Sequence, residues 1–71
     1  MVIVHLSVNG KPAMISPDFI NFAEECEIQQ DDKLIEFTRV YFKQKIDTEN
    51  PIEYIDIKEN IKQLIKLFNN N

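Results

Sequence analysis

Few residues in this chain are of types that do chemistry, and they are not grouped. His5 is the only histidine and Cys26 the only cysteine in 71 residues. A lone histidine without cysteines or carboxylates at ligand spacing favours a structural role over a metal site. The glutamates on either side of Cys26 disfavour the reactive thiolate, so a buried, unreactive thiol is predicted. There is no glycine-rich phosphate loop, Walker pattern or Ser-His-Asp set, and neither an enzyme nor a bound cofactor is expected.

Acidic residues are concentrated in one segment. Five of the twelve Asp and Glu residues lie between positions 24 and 32: Glu24, Glu25, Glu27, Asp31 and Asp32. A catalytic carboxylate pair needs a shaped cleft, and a calcium loop needs regular oxygen spacing with a glycine bend, but neither pattern is present. The segment therefore predicts the solvated end of a hairpin, with a recognition patch for a basic partner as the alternative.

Basic residues are fewer and indicate only an alternative function. Five lysines could gather on one side: Lys43, Lys45, Lys58, Lys62 and Lys66. The neighbouring Tyr41 and Phe42 would suit base stacking, but the net charge of −4 repels a phosphate backbone. The alternative is an oligomeric small β-barrel that binds single-stranded nucleic acid or a small phosphorylated ligand through Tyr41, Lys43, Lys45 and Lys58.

Alternating apolar residues open the chain and predict a first hairpin. Every second position carries an apolar side chain, as in a strand with one buried face: Val2, Val4, Leu6 and Val8. Asn9-Gly10 favours a tight turn, so residues 12–15 should return antiparallel, with Pro12 at the start of the second strand.

The segment that follows begins with a helix-start pattern. Ser16 is suited to cap a helix whose first residue is Pro17. Helical and strand patterns then compete, and we favour one helical turn at 17–20 followed by a strand at about 21–29. Phe19, Ile20 and Phe22 would then reach the core beneath the C-terminal helix.

The longest predicted strand runs from Leu34 to Lys43, after a polar turn at 30–33. Apolar residues occupy both of its faces, Ile35, Phe37 and Tyr41 on one and Leu34, Val40 and Phe42 on the other. Such a strand is central in its sheet, bent by a bulge, or covered by a neighbouring subunit. The candidate interface residues are Leu34, Val40, Tyr41 and Phe42.

The last part of the chain predicts a loop at 46–51, a strand at Ile52–Ile57 and a helix. Asn60 and Gln63 have the spacing of a capping box. Four apolar residues share one helical face: Ile61, Leu64, Ile65 and Phe68. Residues 69–71 should form a frayed tail. The predicted fold is α+β, a small antiparallel β-meander of about five strands with one C-terminal α-helix, and a curled or barrel-like form remains open.

Turn and cap residues also carry a family resemblance. The matching positions are Asn9, Gly10, Ser16, Pro17, Asp18, Lys58, Glu59 and Asn60. In these positions the chain resembles small bacterial proteins of the flagellar FlbD type and related short proteins. The resemblance implies no catalytic activity. This chain departs from the pattern by a longer central hairpin and by the segment KIDTENP.

The size of the chain predicts association with a partner. Residues 1–71 make a single domain, which is near the lower limit for a core that is stable without disulfides or metal. One cysteine and no secretory signal pattern favour a cytoplasmic location, and no apolar run approaches the roughly 20 residues that cross a bilayer. The predicted function is a noncatalytic protein–protein interaction module, acting as a homo-oligomer or as a small subunit of a larger assembly.

Overall fold

The computed structural model describes residues 1–43 and 52–70, and it contains two antiparallel sheets and one helix. The elements in chain order are β1 (Val2–His5), β2 (Pro12–Ile15), a 3-10 turn (Pro17–Phe19), β3 (Ile20–Gln30), β4 (Lys33–Phe42), β5 (Tyr54–Ile57) and α1 (Ile61–Asn69). The predicted α+β class is confirmed, and the sheets formed by the described residues are not closed into a barrel. The predicted loop at 46–51 lies outside the described residues.

The first hairpin is wider than the sequence predicts. Strands β1 and β2 pair from Val2–Ile15 to His5–Pro12, so six residues connect them and the tight turn expected at Asn9-Gly10 is wrong. Strand β1 ends at His5. The next residue, Leu6, donates its N–H to the Lys11 carbonyl oxygen at 2.9 Å and also forms a bridge with Ile57 of β5. Gly10 has a φ of 71°, which is a left-handed conformation that glycine adopts without steric cost.

The second hairpin has the tight turn that the first one lacks. Gln30 pairs with Lys33, and the two residues between them, Asp31 and Asp32, have φ values of 52° and 62°. Two positive φ values in a two-residue loop are typical of a type I′ turn, which matches the right-handed twist of the flanking strands. The polar turn at 30–33 and the strand at about 21–29 are confirmed.

Strand β4 is the central strand of the three-stranded sheet β3–β4–β5, which is one of the three predicted alternatives. One face of this sheet packs against the first hairpin and the helix. The buried core consists of Val2, Val4, Ile15, Val40, Ile57 and Leu64.

Phe19 and Phe22 do not belong to this core, which corrects the sequence prediction. Phe19 is 58% exposed and Phe22 is 50% exposed, whereas Ile20 is partly buried against the core. A register shift lies between Ile20 and Phe22. Because side chains alternate along a strand, this irregularity places Phe22 on the opposite face from Ile20.

Helix α1 begins with the predicted capping box. The Asn60 side chain accepts a hydrogen bond from the Gln63 N–H, and the Gln63 side chain accepts one from the Asn60 N–H, both at 2.8 Å. Leu64 is buried, but Ile65 is exposed although its predicted place is on the buried face. Helix α1 also extends to Asn69, one residue into the predicted tail.

Candidate functional site

The candidate site is the face of the sheet β3–β4–β5 that points away from the core. We call it the outer face. Cross-strand pairing places its members side by side: Phe22, Glu24, Cys26 and Ile28 on β3, Ile35, Phe37, Arg39 and Tyr41 on β4, and Tyr54 and Asp56 on β5. The residues between these positions, such as Ala23, Val40 and Ile55, pack on the core side.

Three aromatic rings form a row across one end of the outer face, one from each strand. The rings of Phe22 and Tyr41 stack with centroids 4.4 Å apart and planes 14° apart. Tyr41 and Tyr54 are tilted, with centroids 5.7 Å apart. Phe22 and Tyr54 remain 50% and 43% exposed. Such pairs stabilise the sheet locally, and the exposed halves of the rings present an apolar surface to solvent.

Arg39 lies beside this row and is held by an ion pair and by contacts with aromatic rings. Its Nε donates to Asp56 Oδ1 at 2.8 Å, and its Nη2 donates to Asp56 Oδ2 at 3.1 Å. Its guanidinium carbon also lies 4.2 Å from the centroid of the Tyr54 ring. The hydrogen bond to Asp56 raises the pKa of Arg39 above the ordinary arginine value. The positive charge is therefore neutralised locally and held in one place against an aromatic ring.

The hydroxyl of Tyr41 is a hydrogen-bond donor at the centre of the row. It donates to Glu24 Oε1 at 3.2 Å. Desolvation and the Glu24 carboxylate raise the pKa of Tyr41 above the ordinary tyrosine value. The phenol therefore stays protonated at neutral pH, and it serves to fix the Tyr41 ring rather than to supply a nucleophile.

Aliphatic side chains occupy the other end of the outer face, toward the β3–β4 turn. Ile28 and Ile35 are directly paired and both exposed. Cys26 is partly buried, and its Sγ lies 3.8 Å from the carbonyl oxygen of Glu24. The thiol is thus less buried than predicted. The outer face has apolar groups at both ends and a paired arginine between them.

The four predicted interface residues do not share one surface. Tyr41 lies on the outer face, and Leu34 is exposed on the opposite side of β4. Val40 is fully buried in the protein's own core, and Phe42 is partly buried against it, so neither presents an open surface. The alternation along β4 places these two on the core side. Phe22 and Tyr54, which are exposed on the outer face, are not among the predicted interface residues.

The lysines of the predicted nucleic-acid site are also separated. Lys43 follows the end of β4, whereas Lys58 follows β5 and lies near the level of Phe37. At the rise per residue of a β-strand, the two lysines are about 20 Å apart along the strand direction. The Lys58 ammonium lies close to Gly10, because a Cβ atom added at position 10 would be 3.2 Å from Lys58 Nζ. Lys45 lies outside the described residues. This placement gives the nucleic-acid alternative no support.

The acidic segment is divided between the two faces of the sheet. Glu24 lies on the outer face, whereas Glu25 and Glu27 project on the opposite side. A depression of about 560 Å³ near the base of the β3–β4 hairpin is lined by Glu25, Cys26, Glu27, Glu36, Phe37, Thr38, Lys58 and Asn60. Within residues 1–43 and 52–70, no three His, Cys, Asp or Glu side chains are placed to hold a metal ion.

His5 is part of a structural contact that the sequence did not indicate. Its backbone N–H donates to Glu59 Oε1 at 2.8 Å, and its Nδ1 lies 2.7 Å from Glu59 Oε2. The two residues are 54 positions apart, so no local spacing pattern could pair them.

The chain matches no protein-family model, no curated protein and no solved structure. The resemblance to the flagellar FlbD type therefore stays a prediction. In the described part of the chain, no helix has the length and apolar character needed to cross a membrane.

Proposed function

We propose that this chain is a noncatalytic protein–protein interaction module whose contact surface is the outer face. The observation that carries the proposal is the row of Phe22, Tyr41 and Tyr54, whose rings are ordered by stacking and yet stay partly open to solvent. Aromatic residues and arginine are the types most enriched where protein partners bind.

The outer face is also preorganised, which favours binding. The Phe22–Tyr41 stack and the two-point contact between Arg39 and Asp56 hold the side chains before a partner arrives. A partner then loses less binding free energy to the ordering of side chains. The paired charges need no new counter-ion when water is removed from the face, because each already has its partner.

The first partner we propose is a second copy of the chain, with the two outer faces packed together. The exposed parts of Phe22, Tyr54, Ile28 and Ile35 amount to on the order of 400 Å² per copy. The area that two copies would bury, including the atoms next to these side chains, approaches the roughly 1,000 Å² of a specific interface. A domain of this size gains stability from such a contact. Binding to a larger protein through the same face, in the cytoplasm, is the other form of the proposal.

Sedimentation equilibrium at micromolar concentration tests the proposal. The wild type should sediment as a dimer, while Phe22→Ser and Ile28→Ser, at the two ends of the outer face, should shift it to a monomer. Val8→Ser is the matched control, because Val8 is exposed in the β1–β2 loop and is not a member of the outer face. Far-UV circular dichroism should show the same fold in all four proteins. A folded wild-type monomer would contradict the dimer and leave only binding to a larger protein through this face, and dimers that persist in both outer-face variants would contradict the outer face as the contact surface.

A further inference from the structure

Strand β3 is an edge of the three-stranded sheet, and it is long. It contains eleven residues, Ile20–Gln30, and β4 is its only partner strand in the part of the chain that the structure describes. Among residues 1–43 and 52–70, no backbone hydrogen bond joins positions 21–30 to any element other than β4. Every second residue of β3 therefore directs its N–H and C=O away from the sheet, which is the arrangement that accepts an additional strand.

The side chains of β3 decide which strand can be added. The sequence INFAEECEIQQ has no proline or lysine, the residues that commonly block an edge. It has three glutamates, Glu24, Glu25 and Glu27. Antiparallel pairing with β3 of a second copy would bring these carboxylates beside one another, and like charges in neighbouring strands are destabilising. The edge therefore disfavours a second β3.

The same charges favour a basic strand. Glu25 and Glu27 lie two residues apart on the side opposite the outer face, and within the described ranges neither has a cation in ion-pair contact. A neighbouring strand with Lys or Arg at alternate positions would place one cation beside each carboxylate. Its intervening residues would lie beside Cys26 and Ile28 on the outer face, where apolar side chains fit.

We propose that the free edge of β3 binds an extended segment of a partner protein in which basic and apolar residues alternate. This inference rests on the proposed function, since it names the class of partner for an interaction module. Main-chain hydrogen bonds to β3 contribute affinity for any extended segment, whatever its side chains. Glu25 and Glu27 make the site selective for positively charged segments.

A synthetic peptide of about ten residues, with Lys alternating with Val and Thr, provides the test. Titration followed by NMR should shift the β3 amide signals and slow hydrogen exchange at alternate β3 residues. The double substitution Glu25→Gln and Glu27→Gln should weaken binding about tenfold, the loss expected for two exposed charge pairs. The matched control is Asp31→Asn with Asp32→Asn, which removes the same charge at the turn and should change the affinity less than about twofold.

Two further probes separate strand addition from charge attraction alone. A peptide of the same charge that is N-methylated at alternate residues cannot donate main-chain hydrogen bonds to β3, and it should not bind measurably. Exchanging the charges, with Glu25→Lys and Glu27→Lys in the protein and Glu for Lys in the peptide, should restore binding. Equal affinity of the N-methylated peptide, or no binding by the original peptide, would overturn the inference.

The outcomes also distinguish this inference from the proposed function. A wild-type dimer that binds no peptide overturns only the inference on β3. A monomer that binds the peptide at β3 supports the inference and removes self-association through the outer face. A monomer that binds no peptide overturns both the dimer and the inference on β3.

Discussion

His5 and Glu59 lie 54 residues apart and are joined by two hydrogen bonds that the Glu59 carboxylate accepts, one from the His5 backbone N–H and one from the His5 ring. The Glu59 carbonyl oxygen also accepts a hydrogen bond from Thr38 Oγ1 at 2.6 Å. Thr38 is buried, and a buried hydroxyl without a hydrogen-bond partner would lower the stability of the fold. This bond supplies that partner. Glu59 thus connects the end of β1, the middle of β4 and the start of α1.

Acid should weaken this connection. Desolvation alone would raise the pKa of Glu59, but the hydrogen bonds from the His5 ring and backbone outweigh it, so the pKa lies below the ordinary value of 4.5. A carboxyl with a lowered pKa in the folded state stabilises the fold above pH 4.5, and this contribution is lost as the pH falls through the lowered value. Thermal melts should show Glu59→Gln less stable than wild type at neutral pH, with the difference shrinking below pH 4.5.

His5→Ala is the control for that pH dependence. Without the imidazole ring, the pKa of Glu59 is lowered less, so the Glu59→Gln substitution should have a smaller pH-dependent effect in this background. A stability difference between wild type and Glu59→Gln that stays constant well below pH 4.5 would contradict the role assigned to the carboxylate.

Burial predicts opposite outcomes for two large apolar residues. Ile57 is fully buried between the two sheets, whereas Phe22 is half exposed on the outer face. Ile57→Ala should lower the free energy of unfolding by about 2–5 kcal/mol because it leaves a cavity, and Phe22→Ala should lower it by only about 1 kcal/mol. Urea denaturation measures both values. Equal losses would place Phe22 in the core, as the sequence alone predicts.

The helix cap offers a local test of α1. Asn60→Ala removes the hydrogen bond to the Gln63 N–H and should cost about 1 kcal/mol, whereas Asn60→Asp should retain most of the stability. Asn69→Ala, at the exposed end of the same helix, is the matched control and should change the stability by less than about 0.5 kcal/mol. The measurement is thermal unfolding followed by the helical signal at 222 nm. Equal losses at positions 60 and 69 would show that the capping box contributes nothing specific.

The sequence predicted the elements well because they depend on local patterns. The capping box at Asn60, the strand at β4 and the return strand at Pro12 follow from side chains within a few residues of each other. The width of the first hairpin does not, because Leu6, which bonds to Lys11 across the hairpin, also pairs with Ile57, fifty-one residues later. A tight-turn dipeptide such as Asn9-Gly10 permits a two-residue loop but cannot enforce it against a distant strand.

The candidate site was harder to predict because one irregularity exchanges the two faces of a strand. Regular alternation would place Ile20 and Phe22 on the same side, and the register shift between them separates the two. The row of Phe22, Tyr41 and Tyr54 also depends on pairing across three strands. Of the three rings, only Tyr41 is predicted from the sequence, because the sequence shows which residues are aromatic but not which of them become neighbours.

The β3–β4 turn provides the last prediction. Asp31 and Asp32 both have positive φ values, which cost most residues about 1–2 kcal/mol and aspartate less. Asp32→Gly removes this strain, but it also raises the entropy of the unfolded chain by an amount worth about 0.4–1 kcal/mol. The net effect should be a gain of about 0.5 kcal/mol or less.

Substitutions at position 32 can separate the backbone effect from charge. Asp32→Val should destabilise the protein by about 1–2 kcal/mol, because a β-branched residue resists a positive φ. Asp32→Asn removes the same charge but tolerates the conformation, so it should lie close to wild type. Urea denaturation should therefore rank the proteins as Gly, then Asp and Asn together, then Val. If Val were as stable as Asn, residue 32 would not hold a left-handed conformation, and the pairing register of the whole β3–β4 hairpin, including the Phe22–Tyr41 contact, would have to be assigned differently.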